Sequence, residues 1–242
     1  MSQITSEWIQ LENGPRAWYA RPSTAGPHPA IVVFIEAFGV NQHFQDVAER
    51  LARAGFCAIV PDLYHGKTYE YSDFDNAIGH LKTLNDDLAM AEAGLAIQAL
   101  HQRSEVRQDA IGALGFCMGG RLAFMANAVH ADQLSATVAF YGAGIAPNLD
   151  PVGRKPLLHL VPQMRAPLLL LYGAEDQSIT PEEHGRIASA LSTAHKRYTL
   201  TVFPDAPHGF FADPRDSFRP EAAQEGWRLT LDHFTHSLGA SA

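Results

Sequence analysis

Short apolar runs rich in β-branched residues recur along this chain, and most are followed by apolar positions at helical spacing. Ala30-Ile31-Val32-Val33-Phe34-Ile35 is such a run. After it Phe44, Val47, Leu51 and Ala54 fall on one helical face, and Gly55 supplies a left-handed cap. Residues 56–60, 110–116, 136–141, 167–172 and 198–203 repeat the strand pattern. Uninterrupted apolar strands belong in a sheet covered on both faces. Strands alternating with helices build a mostly parallel sheet, so the expected fold class is α/β with helices on both sides. Before this series, residues 8–11 and 17–20 flank Asn13-Gly14-Pro15 and predict a hairpin over about residues 7–20.

The helices have their own signals. Leu84, Leu88, Ala91 and Leu95 mark a long one, and residues 121–129 another. Thr180-Pro181-Glu182-Glu183 is a capping box with proline at the first helical position. Trp227, Leu231, Phe234 and Leu238 are expected to bury the last helix, which Gly239 ends. Residues 64–75 and 146–154 are polar and read as loops that border a site.

A length of 242 residues suits a single domain over 1–242. A net charge of −8 argues against nucleic acid or an anionic membrane as partner, since both require a basic face. No apolar run is long enough to span a bilayer, and residues 1–7 lack the basic-then-apolar pattern of a secretory signal. The two cysteines, Cys57 and Cys117, do not make a disulfide scaffold, and a cytoplasmic location is expected. Cys57 falls in a buried-strand pattern and is expected in the core.

Cys117 is different. It stands in Leu114-Gly115-Phe116-Cys117-Met118-Gly119-Gly120, where a strand pattern stops and a helical one starts. A cysteine is commonly a small core hydrophobe. Gly-x-Cys-x-Gly at a strand-to-helix junction is instead the pattern of the α/β-hydrolase nucleophile elbow, with sulfur in place of the usual hydroxyl. The helix N-terminus that begins there favours a thiolate and a developing oxyanion, with the Met118 N–H as one donor.

Two further residues follow strand ends in the order this chemistry uses. Asp176 comes after the run 168–172, and His208 after 198–203. A thiolate must attack, an imidazole must move the proton, and a carboxylate must orient the imidazole. Asp176 could equally close a turn, and Glu175 or Asp205 could be the acid instead. Among 12 histidines, His208 stands out in a Pro-His-Gly loop, whereas His184, His195 and His233 sit in helical patterns expected to face solvent. Glu36, directly after the run 31–35, would lie at the same sheet edge as Cys117; it could also simply cap a loop. Phe38, Tyr64 and Tyr141 could line a pocket or serve packing. No His, Asp or Glu spacing suggests a metal, and no cofactor is expected.

Glu36, Pro61-Asp62-Leu63-Tyr64, the elbow, Tyr172-Gly173-Ala174-Glu175-Asp176 and Ala206-Pro207-His208-Gly209-Phe210 together resemble the dienelactone hydrolase family of α/β-hydrolases. The resemblance runs from about residue 30 to the last helix. It implies a carboxylic-ester hydrolase opening a small lactone or ester through a cysteine thioester. It implies that Glu36 takes the thiol proton when substrate binds, and that the N–H groups of Met118 and Ala37 form the oxyanion hole. It implies also that members acting on dienelactone hold a substrate carboxylate with arginines near the site. Between residues 64 and 84 the only cations are Lys67 and Lys82, and no arginine follows His208 until Arg215. The sequence therefore leaves the substrate at a small ester or lactone, and the oligomeric state at a monomer or weak homodimer. A retired hydrolase that binds ligand, or a redox sensor using Cys117, is the alternative.

Overall fold

The computed structural model describes residues 3–148, 150 and 152–239. The first two strands, β1 (Ile4–Gln10) and β2 (Arg16–Pro22), form the expected antiparallel hairpin, with Trp8 opposite Trp18. Then come β3 (His28–Phe34), helix α1 (Gln42–Arg53), β4 (Cys57–Pro61), α2 (Phe74–Leu81) and α3 (Asp86–His101). Strand β5 (Val106–Phe116) leads into α4 (Met118–Val129), and β6 (Ala136–Phe140) follows. A short 3-10 helix (Leu158–Gln163), β7 (Leu168–Gly173), α5 (Pro181–Thr193), β8 (Tyr198–Phe203) and α6 (Pro220–Leu238) complete the chain.

The eight strands make one sheet in the order β1-β2-β4-β3-β5-β6-β7-β8. Strands β3 to β8 run parallel, and β2 is antiparallel to both β1 and β4. Side chains on a strand alternate faces, so β5 shows which helix covers which side. Phe116 meets Phe44 of α1, and Gly112 lies against Phe234 of α6. Gly115, of opposite parity, lies against the first turn of α4. Helices α1 and α6 therefore share one face, and α4 the other, with α3 packed beside α4. Residues 30–35 and all of β4, β6 and β7 are buried, as uninterrupted apolar strands require.

Some expectations are corrected. On α3 the buried face is Ala89, Met90, Ala93, Ala96, Ile97 and Leu100, and Leu88 is exposed. The leucine spacing tracked a stripe beside the true face, which small residues fill. Residues 64–73 form the expected loop, which ends two residues early where helix α2 begins at Phe74. Its N-cap Asp73 makes no side-chain capping bond, so no strong start signal announces it. In α6, Phe234 and Leu238 are buried, whereas Trp227 and Leu231 are only partly so. His184 is buried against Tyr172 rather than solvated, and His195 falls just beyond α5. Cys57 is in the core as expected, and both cysteines are free. No helix among the described residues is long and apolar enough to cross a membrane.

Candidate active site at the carboxyl edge of the sheet

Cys117 sits between β5 and α4 with φ 56 and ψ −117, a backbone conformation an L-residue adopts only under constraint. The constraint is visible on both sides. Its N–H donates to the Phe140 carbonyl at 3.0 Å, and its carbonyl accepts from the Arg121 N–H. Two positions on, the backbone of Gly119 lies so close to the Phe34 carbonyl that any side chain would collide with it. The turn is thus locked between β3 and β6, and Cys117 remains partly exposed at the sheet edge.

Asp176 follows β7, and His208 follows β8. The His208 ring donates from Nδ1 to Asp176 Oδ2 at 2.7 Å. The other Asp176 oxygen accepts from the N–H groups of Ser178 and Ile179, which fixes the carboxylate. Glu175 and Asp205 are both exposed, and Asp176 is the carboxylate that touches the ring. Burial alone would push the His208 imidazolium down. The neighbouring Cys117 and the Asp176 carboxylate overcome it and hold the pKa at about 10.

Glu36 is fully buried at the end of β3. Tyr141 donates to its Oε1 at 3.0 Å, and Arg215 Nη1 to its Oε2 at 3.4 Å. Tyr141 bridges the site: its ring packs 5.1 Å from that of His208. Burial, followed by Glu36, pushes the Tyr141 phenol well up, so it stays a proton donor. Tyr64 is buried, stacked on His80 at 4.0 Å, and its hydroxyl points to Met118 Sδ at 3.8 Å. Phe38 lies on the other wall against Tyr71, ring centroids 4.6 Å apart. The N–H groups of Ala37 and Met118 make no backbone hydrogen bond among the described residues. Within the described residues no group of three or more His, Cys, Asp or Glu could hold a metal ion.

Sequence reasoning underrated Arg215 and passed over Tyr71. The loop after β8 brings Arg215 back over Phe38, 5.5 Å from its ring, to face Glu36. Its proximity to His208 in the same loop was the available signal, whereas its pairing with Glu36, 179 positions away, was not.

This strand order, with a strained turn, an acid and a histidine after β5, β7 and β8 in turn, is the α/β-hydrolase fold. The family model for the dienelactone hydrolase family matches residues 16–238. A Yersinia pestis protein named "Putative carboxymethylenebutenolidase" is 36% identical over 230 residues, covering 93% of this chain and 85% of its own. A Bradyrhizobium protein named "Probable 2-oxo-3-(5-oxofuran-2-ylidene)propanoate lactonase" is 33% identical over 236 residues, covering 94% and 93%. A crystal structure from Klebsiella pneumoniae, described as a "Putative Dienelactone Hydrolase", superposes with a TM-score of 0.88 at 32% identity, covering 96% of this chain and 99% of that one. The chain belongs to the dienelactone hydrolase family and is a hydrolase of carboxylic ester bonds.

Proposed function

We propose that this hydrolase opens small lactones or esters bearing a carboxylate, through a thioester on Cys117. The observation that supports the mechanism best is the His208 ring, hydrogen-bonded to Asp176 and close enough to Cys117 for it to raise the imidazole pKa. The thiol proton passes to His208, and Asp176 supports the resulting imidazolium. The thiolate attacks the carbonyl carbon, and the developing oxyanion is received by the N–H groups of Met118 and Ala37. The carbon–oxygen bond breaks, and the imidazolium gives its proton to the departing oxygen. Neutral His208 then takes a proton from water, the hydroxide attacks the thioester, and acid and thiol are released. A thiol is kept active in a reducing compartment, so a cytoplasmic location accompanies this reading.

Arg215 supports the substrate class. Among the described residues its only side-chain hydrogen bond is the long one to Glu36, which leaves most guanidinium donors for a ligand. A substrate carboxylate is the group best matched to that fork. Drawing Arg215 away would free Glu36 to act as a second proton acceptor beside the thiol. The relative named as a furan-ylidene propanoate lactonase has a carboxylate and a lactone in its named substrate.

The test is hydrolysis of a panel of dienelactone, neutral lactones and aryl acetates by wild type, Cys117→Ala and Arg215→Met. Arg215→Met is expected to lower kcat/KM for the anionic lactone by about a hundredfold while changing aryl acetates by less than about threefold. Equal losses on both would refute the carboxylate role.

A further inference from the structure

Behind the Arg215–Glu36 pair lies a second space. A cavity of about 250 Å³ opens between the start of α1 and the segment after β4, lined by Asn41, Gln42, His43, Thr68, Glu70 and Pro214. Its lining mixes polar side chains with a somewhat larger share of apolar surface. Tyr71 borders it as well. The other side of the same ring belongs to the active site: it packs on Phe38, and the Arg215 guanidinium sits 5.8 Å from its centroid. The Tyr71 hydroxyl is buried and unpartnered, and burial followed by Glu36 pushes its pKa up. The ring therefore contacts Phe38 and Arg215 and also borders the cavity.

The backbone around Tyr71 is held. The Tyr69 N–H donates to the Phe38 carbonyl at 3.0 Å, and the Tyr69 hydroxyl meets His80 Nδ1 at 3.0 Å. The Gly66 N–H is bound by the buried Asp62 carboxylate. Gly39, at φ 80, has the Lys67 carbonyl and Thr68 against the position a Cβ would occupy, so the two segments are in backbone contact. With both segments fixed, the ring stands between the cavity and the Phe38–Arg215 side of the site.

We propose that Tyr71 is a specificity-determining wall that confines the enzyme to compact substrates, and that the mixed polar and apolar cavity behind it is a latent extension of the active site. It rests on Cys117 being the reactive centre. Replacing the ring by a methyl group joins the spaces and admits a polar ether tail; removing only the hydroxyl does not.

Two p-nitrophenyl esters test this, the acetate and the ester of 2-[2-(2-methoxyethoxy)ethoxy]acetic acid. The ratio of their kcat/KM values is expected to move toward the tailed ester by at least about fivefold in Tyr71→Ala, and by less than about twofold in Tyr71→Phe. Tyr71→Val takes the place of Tyr71→Ala if the latter does not fold. A smaller shift in the truncated variant, or an equal shift in Tyr71→Phe, overturns the proposal. A second readout needs no turnover: the rate at which Cys117 is alkylated by N-ethylmaleimide against a triethylene-glycol-tailed maleimide, followed by intact mass. The same change in ratio is expected. Absence of ester turnover in wild type would sink the proposed function, and the alkylation ratio would still decide the wall.

Discussion

The imidazole of His208 lies between the Asp176 carboxylate and Cys117, and that placement decides how the site responds to pH. With its pKa at about 10, the imidazolium persists through neutrality. Turnover is predicted to hold on the alkaline side until about pH 10 and then fall, as kcat/KM against pH for a neutral aryl ester would show. Asp176→Asn removes one raising partner, so the alkaline limb should move down by about one pH unit or more. A limb that stays in place would mean that Asp176 does not set the imidazolium. Cys117→Ser is expected to be a poor enzyme, because a hydroxyl is far less acidic than a thiol; wild-type rates would contradict the thiolate mechanism. That Cys117, Asp176 and His208 would gather at one edge was legible in the sequence because each follows a strand, and strand ends of one parallel sheet share an edge. Tyr71 was not, because its place depends on how the segment after β4 folds back.

At the scale of elements, the elbow and α4 hold the site by close backbone approach and a buried cation. Gly119→Ala puts a Cβ against the Phe34 carbonyl of β3, where neither backbone can yield. It should cost about 3 kcal/mol or more in urea unfolding, and a near-neutral variant would refute the close packing. Arg121 of α4 is almost wholly buried and donates to Asp86 Oδ1 and to the carbonyls of Gly144 and Lys155. It thereby ties the start of α3 and the loop after β6 to the helix behind Cys117. Arg121→Met leaves these acceptors unpaired and is predicted to lose about 3 kcal/mol by the same measurement. Strands were legible as elements since apolar runs announce them. Helix α3 was found with the wrong face, since alanines carry its packing and a leucine stands in solvent.

Over the whole molecule, the site contributes to stability with a definite sign. The His208 pKa is raised from 6.5 to about 10 by folding. Its contribution is therefore present in full below its ordinary value and is lost as pH rises through about 10. Urea unfolding of wild type and His208→Gln should converge across that alkaline window, and a constant difference would contradict the linkage. The sheet order was within reach of the sequence only in outline. Alternation of elements implies a parallel sheet, but not that β3 inserts between β4 and β5, nor that a loop carries Arg215 across to β3.

The central claim is the covalent one, and the mass of the protein tests it most directly. With His208→Gln to slow deacylation, p-nitrophenyl acetate should leave one acetyl group, mapped by peptide digestion to Cys117 and absent from the double variant with Cys117→Ala. Release of nitrophenol with no adduct on Cys117, or an undiminished rate in Cys117→Ala alone, would show that the ester is opened without the thioester.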